Sequence, residues 1–106
     1  MKILWTDFAS ETLRDIYKYY KTAAGISIAK KIKTEIFLAT KQLIAQPESG
    51  QIEISLEKIH EGHRYIVEGN YKIVYKKVKE GVLITDVFDA RQDPCKINNP
   101  KRKIGR

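Results

Sequence analysis

The sequence predicts an α+β domain, β-α-α-β-β-β, in which an N-terminal helical hairpin packs on a small, mainly antiparallel sheet. Two observations predict this order. Apolar residues recur at intervals of three and four between residues 13 and 43, and then alternate with polar residues in the last third of the chain. A length of 106 residues suits a single domain, and 42% hydrophobic residues are enough to fill one core.

Composition restricts the location and the partners of the chain. No apolar run is long enough to span a bilayer, and Asp7 interrupts any signal-peptide pattern at the N-terminus. The single cysteine, Cys95, cannot form an internal disulfide, so we expect a cytoplasmic protein. The net charge of +7 favours an anionic partner, either nucleic acid or an acidic protein, although a basic surface also serves solubility alone.

The first strand and the first helix are predicted from residues 2–25. The apolar, β-branched residues 2–6 indicate a strand, and Thr6 or Asp7 can cap the helix that follows. Gly25 is expected to end this helix. One face of the helix is apolar and comprises Leu13, Ile16, Tyr17, Tyr20 and Ala24.

A second helix is predicted to begin at a Ser27 cap and to end near Gln46, because Pro47 disfavours helical geometry in the residue before it. The short link predicts an antiparallel helical hairpin. The apolar stripe of this helix has spacings of three and four: Ala29, Ile32, Ile36, Ala39 and Leu43.

The rest of the chain is predicted to form the sheet. Residues 47–51 form a loop, and the alternating Ile52, Ile54 and Leu56 indicate a short extended piece. Strands over residues 63–68, 71–77 and 82–89 are expected to form an antiparallel meander. Its turns are predicted at residues 69–70 and 80–81, both of which contain glycine.

The two faces of the meander are predicted to differ. On the middle strand, Tyr71, Ile73 and Tyr75 should face the helices, while Lys72, Val74 and Lys76 face away. On the last strand, alternation places Val82, Ile84, Asp86 and Phe88 on one face and Leu83, Thr85 and Val87 on the other. Both sets are apolar, so either a partner or the tail covers the second face, or the pattern is ordinary scatter.

Several kinds of chemistry find no support in the sequence. His60 and His63 lack a third metal ligand at a suitable spacing, so no metal is expected, and the two are interpreted as surface or turn residues. Cys95 lacks a partner base for nucleophilic catalysis. No glycine-rich phosphate loop occurs, and no cofactor is predicted.

A basic set on the predicted strands is the remaining candidate site. Arg64, Lys72, Lys76 and Arg91 can converge on one patch if the strand registers agree, and such a patch can hold phosphates. The alternative is a solvated basic face whose cations form ion pairs, for example Arg91 with Asp89 or with Asp93.

One segment resembles a known family. Arg64 precedes a variable strand. Residues 69–75 then read Gly-Asn-Tyr, a basic residue, two apolar residues and Tyr. The last strand ends in Arg-Gln-Asp-Pro at residues 91–94. This pattern resembles the C-terminal half of RelE/ParE-type toxins of bacterial toxin–antitoxin pairs. The resemblance implies a single toxin domain over residues 1–94, followed by a basic tail over residues 95–106.

The resemblance implies a growth-inhibiting toxin that is neutralised by a cognate antitoxin, an acidic and partly disordered protein. Members that cleave mRNA on the ribosome use a Tyr or His near the C-terminus, and this chain has neither after Arg91. We therefore favour poisoning of DNA gyrase over a ribosome-dependent endoribonuclease, with a non-toxic partner-binding domain as a further alternative. No catalytic residue is assigned. The residues expected to bind the target or the antitoxin are Arg64, Lys72, Lys76, Arg91 and Asp93.

Overall fold

The computed structural model describes residues 2–53 and 61–91. The predicted α+β fold is confirmed, with a short additional strand at one edge of the sheet. The elements are β1 (Lys2–Trp5), α1 (Asp7–Ala24), α2 (Ile26–Ala45), β2 (Gln51–Ile52), β3 (Arg64–Glu68), β4 (Tyr71–Val78) and β5 (Gly81–Asp89). The predictions that concern Ile54, Leu56, His60, Asp93 and the tail over residues 95–106 lie outside the described residues.

The helical hairpin forms as predicted, with one correction at its link. Thr6 is the cap of α1, and its hydroxyl accepts a hydrogen bond from the Ala9 amide at 3.0 Å. The predicted Ser27 cap is wrong, because α2 already begins at Ile26. Gly25 forms the whole link with a φ of 99°, a conformation that other residues rarely adopt. No helix in the described ranges is long and apolar enough to cross a membrane.

The sheet has five strands in the order β1-β5-β4-β3-β2. β1 pairs parallel with β5, and the other neighbours pair antiparallel, so the sheet is mainly antiparallel as predicted. The second turn lies one residue earlier than expected: residues 79–80 form it, and Gly81 already pairs with Val78. Gly81 has no room for a side chain, because a Cβ there would collide with the backbone of Lys2 in β1.

The core lies between the helical hairpin and one face of the sheet. Tyr71, Ile73 and Tyr75 are buried there, which confirms the predicted inner face of β4. The predicted stripe of α2 is confirmed too: Ile36 and Leu43 are buried in the core, and Ile32 and Ala39 pack against it. The apolar spacing along α2 and along β4 is therefore enough to predict which face of each element enters the core.

The predicted faces of β5 are wrong beyond Ile84. Val74 pairs with Asp86, whereas the next residue of β4, Tyr75, pairs with Ile84, so Thr85 is an extra residue in the ladder. This β-bulge reverses the alternation along the rest of β5. Val87 therefore joins the core opposite Ile73, and Asp86 and Phe88 lie on the other face.

Candidate functional site: the charged sheet face

The face of the sheet that points away from the helices carries a group of charged and polar side chains. We call it the charged sheet face and define it by Glu53, His63, Tyr65, Lys72 and Lys76. Lys72 and Lys76 alternate with the core residues of β4, and Tyr65 lies opposite Val74 on β3. Glu53 and His63 are 2% and 8% exposed, so this face is partly buried even though the helices lie on the opposite side.

Lys72 lies at the centre of the face and has two partners. Its Nζ donates to Glu53 Oε1 at 3.1 Å and lies 4.3 Å from the centroid of the Tyr65 ring. The phenol of Tyr65 in turn donates to Gln51 Oε1 at 3.0 Å. The cation is therefore shared between a buried carboxylate and an aromatic face, two contacts that hold its position.

Lys76 and His63 form a second group. Lys76 Nζ donates to Glu61 Oε1 at 2.6 Å, and this hydrogen bond lowers the pKa of the Glu61 carboxyl. Burial, together with the charge of Lys76, lowers the pKa of His63. The buried Nδ1 atom of His63 has no hydrogen-bond partner among residues 2–53 and 61–91. The interpretation of His63 as a surface or turn residue is therefore wrong: its side chain is buried, and the position alternates with Arg64, which places it on the charged sheet face.

Arg64 does not join Lys72 and Lys76, so the expected convergence is wrong for this residue. Arg64 pairs with Tyr75 and alternates with Tyr65, which places it on the side of the sheet that faces the helices. Its Nη1 donates to the Gly50 carbonyl at 2.9 Å. Lys72 and Lys76 do share a face, but they are four positions apart along β4, which is roughly 13 Å.

Arg91 lies just beyond the end of β5 and also stands apart from the two lysines. Its guanidinium donates to both carboxylate oxygens of Asp89, from Nε to Oδ1 at 3.0 Å and from Nη2 to Oδ2 at 2.8 Å. This pair lowers the pKa of Asp89 and raises that of Arg91. Asp89 lies opposite Tyr71, whose pKa is raised by burial and by its hydrogen bond to Tyr20. The ion pair proposed from the sequence as an alternative is therefore present.

The three cations Lys72, Lys76 and Arg91 are suited to exchanging one carboxylate partner for another. Lys72, Lys76 and Arg91 each already hold a carboxylate, so an acidic segment or a phosphate would replace a partner of the same kind. Within residues 2–53 and 61–91, no group of three His, Cys, Asp or Glu side chains could hold a metal ion. Sequence reasoning missed His63 and Tyr65, although their alternation with Ile66 would have placed both on this face.

Comparison with known proteins identifies the family. A sequence model of the ParE toxin of type II toxin–antitoxin systems, parDE, matches residues 3–94. The chain belongs to the ParE toxin family. This confirms the resemblance to RelE/ParE-type toxins.

A solved structure supports the fold of this ParE family member. A chain of the chromosomal ParDE TA system from P. aeruginosa superposes with a TM-score of 0.69 at 19% sequence identity, covering 84% of this chain and 95% of that one. A search of curated protein sequences finds no match. The family assignment therefore rests on the sequence model, and the superposition shows the shared fold.

Proposed function

We propose that this ParE family member inhibits growth by binding and poisoning DNA gyrase, and that a cognate acidic antitoxin neutralises it. Membership in a toxin family supports the growth-inhibiting role. The choice between binding and nuclease chemistry depends on the side chains near the cations. We assign Lys72, Lys76 and Arg91 to contacts with the target or the antitoxin. Arg64 and Asp93 belong to the same proposal, Arg64 in a supporting position through its hydrogen bond to the Gly50 carbonyl.

The burial of Tyr71, Tyr75 and His63, three side chains that could otherwise act as a general base, is the observation that carries the proposal. RNA cleavage requires a base within hydrogen-bond reach of the 2′-hydroxyl. Tyr75 is fully buried and accepts a hydrogen bond from the Gly50 amide, and Tyr71 is 9% exposed and bonded to Tyr20. The side chain of His63 is 7% exposed. Groups enclosed in this way cannot reach an RNA strand without rearrangement, whereas a binding toxin needs no such base.

Tyr65 provides the specific observation in favour of the alternative, a ribosome-dependent mRNA endoribonuclease. Its ring is partly exposed and lies against the Lys72 ammonium group at 4.3 Å from the centroid. A partly exposed phenol is a kind of side chain that can exchange a proton with an RNA 2′-hydroxyl. Tyr65→Phe removes only the hydroxyl, which makes it the variant that separates the two functions.

Neutralisation by an acidic antitoxin is supported by charge. The chain carries +7, and the cations of the charged sheet face hold carboxylates that a partner's Asp or Glu can replace. Long-range attraction of this kind mainly accelerates association and selects partners of opposite sign. A test is the salt dependence of complex formation, which we expect to slow as ionic strength rises.

The first experiment follows DNA synthesis and translation separately after the protein is induced without a partner in a bacterial host. Thymidine incorporation should fall first while methionine incorporation continues, and purified gyrase should lose supercoiling activity when the protein is added. Tyr65→Phe should behave like the unaltered protein. An early collapse of translation that Tyr65→Phe abolishes would instead support the endoribonuclease, and the absence of any growth defect would support a non-toxic partner-binding domain.

A further inference from the structure

The outer surface of the helical hairpin carries most of the net charge of the chain. Between Arg14 and Lys41 there are seven Lys or Arg residues and two acidic residues, so this segment has a net charge of +5, compared with +7 for the whole chain. Six of these cations are exposed and lie on the sides of the two helices that do not enter the core. We call this set the basic hairpin surface: Arg14, Lys18, Lys21, Lys30, Lys33 and Lys41.

The cations of α1 form one row. Arg14, Lys18 and Lys21 follow one another at intervals of four and three residues, a spacing that places side chains on one side of a helix. The residues of α1 that belong to the core cluster are Ala9 and Leu13, and they lie on another side. The row is therefore directed toward solvent and away from the sheet.

A second row lies on α2 and adjoins the first. Lys30 and Lys41 are eleven residues apart in the sequence, which is close to three turns and about 16 Å at the helical rise per residue. Lys33 lies between them, and the buried Ile36 marks the core side of the same helix. Arg14 and Lys33 line the same concavity between the helices, so the two rows form one continuous basic surface.

Most cations of the basic hairpin surface are unpaired. Among residues 2–53 and 61–91, only Arg14 holds a carboxylate, that of Glu11, and the other five have no carboxylate partner. The cations at the sheet differ, because four of them are paired with carboxylates: Lys72, Lys76, Lys77 and Arg91. Unpaired like charges repel one another, and a polyanion that lies across them relieves this repulsion.

Duplex DNA matches the shape and the charge of this surface. The axes of two packed helices lie about 8–10 Å apart, so the two rows present a rigid basic area of about 16 by 10 Å. A duplex carries one negative charge per ~1.7 Å of its axis, so about ten phosphates lie along this length. Both partners are ordered before they meet, whereas a disordered acidic polypeptide would first lose conformational freedom. Single strands bind by stacking on open aromatic faces, but here Trp5 stacks on Phe37 at a centroid distance of 5.6 Å and Lys33 lies over the Tyr17 ring.

We propose that the basic hairpin surface binds the phosphate backbone of duplex DNA and does not read its sequence. Lysine ammonium groups bind phosphates as point charges, and sequence is read only by side chains that reach base edges inside a groove. Two packed helices cannot both enter one major groove, which is about 12 Å wide and admits a single helix. The inference goes beyond the proposed function: binding to DNA needs no gyrase, and either statement can fail without the other.

The purified full-length chain is titrated into a short fluorescent DNA duplex, and anisotropy gives the dissociation constant at several salt concentrations. We expect about micromolar binding near physiological salt, with equal affinity for a duplex of unrelated sequence. Since all six cations contact phosphates, the logarithm of the association constant should fall against the logarithm of the salt concentration with a slope of about −5 or steeper. Lys18→Ala and Lys30→Ala should each reduce this slope by about 1, and the double variant Lys18→Glu with Lys30→Glu should weaken binding by about tenfold or more.

The matched control is Lys79→Glu, which makes the same charge change at an exposed lysine in the turn between β4 and β5. Its affinity for the duplex should stay within about twofold of that of the unaltered chain, because physiological salt screens charges over about 8 Å. Circular dichroism confirms that each variant folds. Unchanged affinity and slope in the double variant would assign DNA binding to another part of the chain and overturn the inference. Tighter binding of oligothymidine or of polyglutamate than of the duplex, measured at equal charge, would overturn it as well.

Discussion

The Arg91 guanidinium and the Asp89 carboxylate form a two-bond ion pair just past β5, and the Arg91 amide donates a third hydrogen bond to the same carboxylate at 2.9 Å. The pair is local in sequence, and 60% of the Arg91 side chain remains exposed. An exposed pair of this kind contributes little to stability. Its position beside the last strand therefore makes Arg91 available to a partner that can replace Asp89.

We expect Arg91→Ala to abolish or strongly reduce growth inhibition while the free energy of unfolding stays unchanged within error. The matched control is Lys77→Ala, which removes another exposed ion pair, that of Lys77 with Glu48. Colony counts after induction and urea denaturation measure the two effects. Full toxicity of Arg91→Ala would remove this residue from the functional surface.

Removal of Lys72 should destabilise the fold more than removal of Lys76. Lys72 donates to Glu53, whose side chain is 3% exposed, whereas the partner of Lys76, Glu61, is 46% exposed. A hydrogen bond to a buried charge contributes about 2 kcal/mol, so Lys72→Met should lower the free energy of unfolding by about that amount. Lys76→Met is the control. Equal urea midpoints for both variants would contradict the burial of the Glu53 carboxylate.

The Tyr75 hydroxyl should hold the loop before β2 through the amide of Gly50. The bond is 2.9 Å long and buried, so Tyr75→Phe leaves a buried N–H without its partner and should cost about 1–3 kcal/mol. Gly50→Ala should destabilise by a similar amount, because its Cβ would lie 2.6 Å from the Tyr75 hydroxyl oxygen. Tyr65→Phe, at a partly exposed phenol, is the control in chemical denaturation and should change stability little.

His63 should make stability depend on pH near neutrality. Its pKa is lowered from 6.5 by burial and by Lys76, while the nearby Glu61 and Glu53 oppose the change. The unfolded chain therefore binds a proton more readily, and stability that is complete above pH 6.5 is lost as the pH falls below that value. The free energy of unfolding, measured from pH 7.5 to 5, should fall in the unaltered chain.

His63→Asn should flatten this dependence between pH 6.5 and 5. Loss of stability at lower pH has a different origin, because the pKa values of Asp89, Glu48 and Glu61 are lowered by their cationic partners. Stability from these carboxylates is present above their ordinary pKa values and is lost as the pH falls through the lowered ones. An unchanged slope above pH 5 in His63→Asn would show that His63 is not the responsible group.

The helical hairpin and the inner face of β4 are predictable because they depend on local spacing. The Thr6 cap, the stripe of α2 and the burial of Tyr71, Ile73 and Tyr75 follow from periodicities of 3.6 and 2 residues. The part of β5 after Ile84 is different, because its two faces do not follow from simple alternation. The bulge at Thr85 depends on how β5 pairs with β4, and no feature of the β5 sequence alone marks it.

The candidate site was predicted in part. Lys72 and Lys76 lie on the expected face because both belong to one strand, so alternation decides their side. Arg64 lies on another strand, and its side depends on the register of β3 against β4. The ion pair of Arg91 with Asp89 is local and could be considered from sequence. The burial of His63 depends on residues that are distant in the chain.

The sequence by itself determined the order of the elements, the ends of the helices to within a residue or two, the charge and the family, because these depend on neighbours along the chain and on local patterns. Only the tertiary structure decided which cations share a face and which carboxylate each one holds. Those properties depend on strand register and on helix packing, both of which bring together residues that are far apart in sequence.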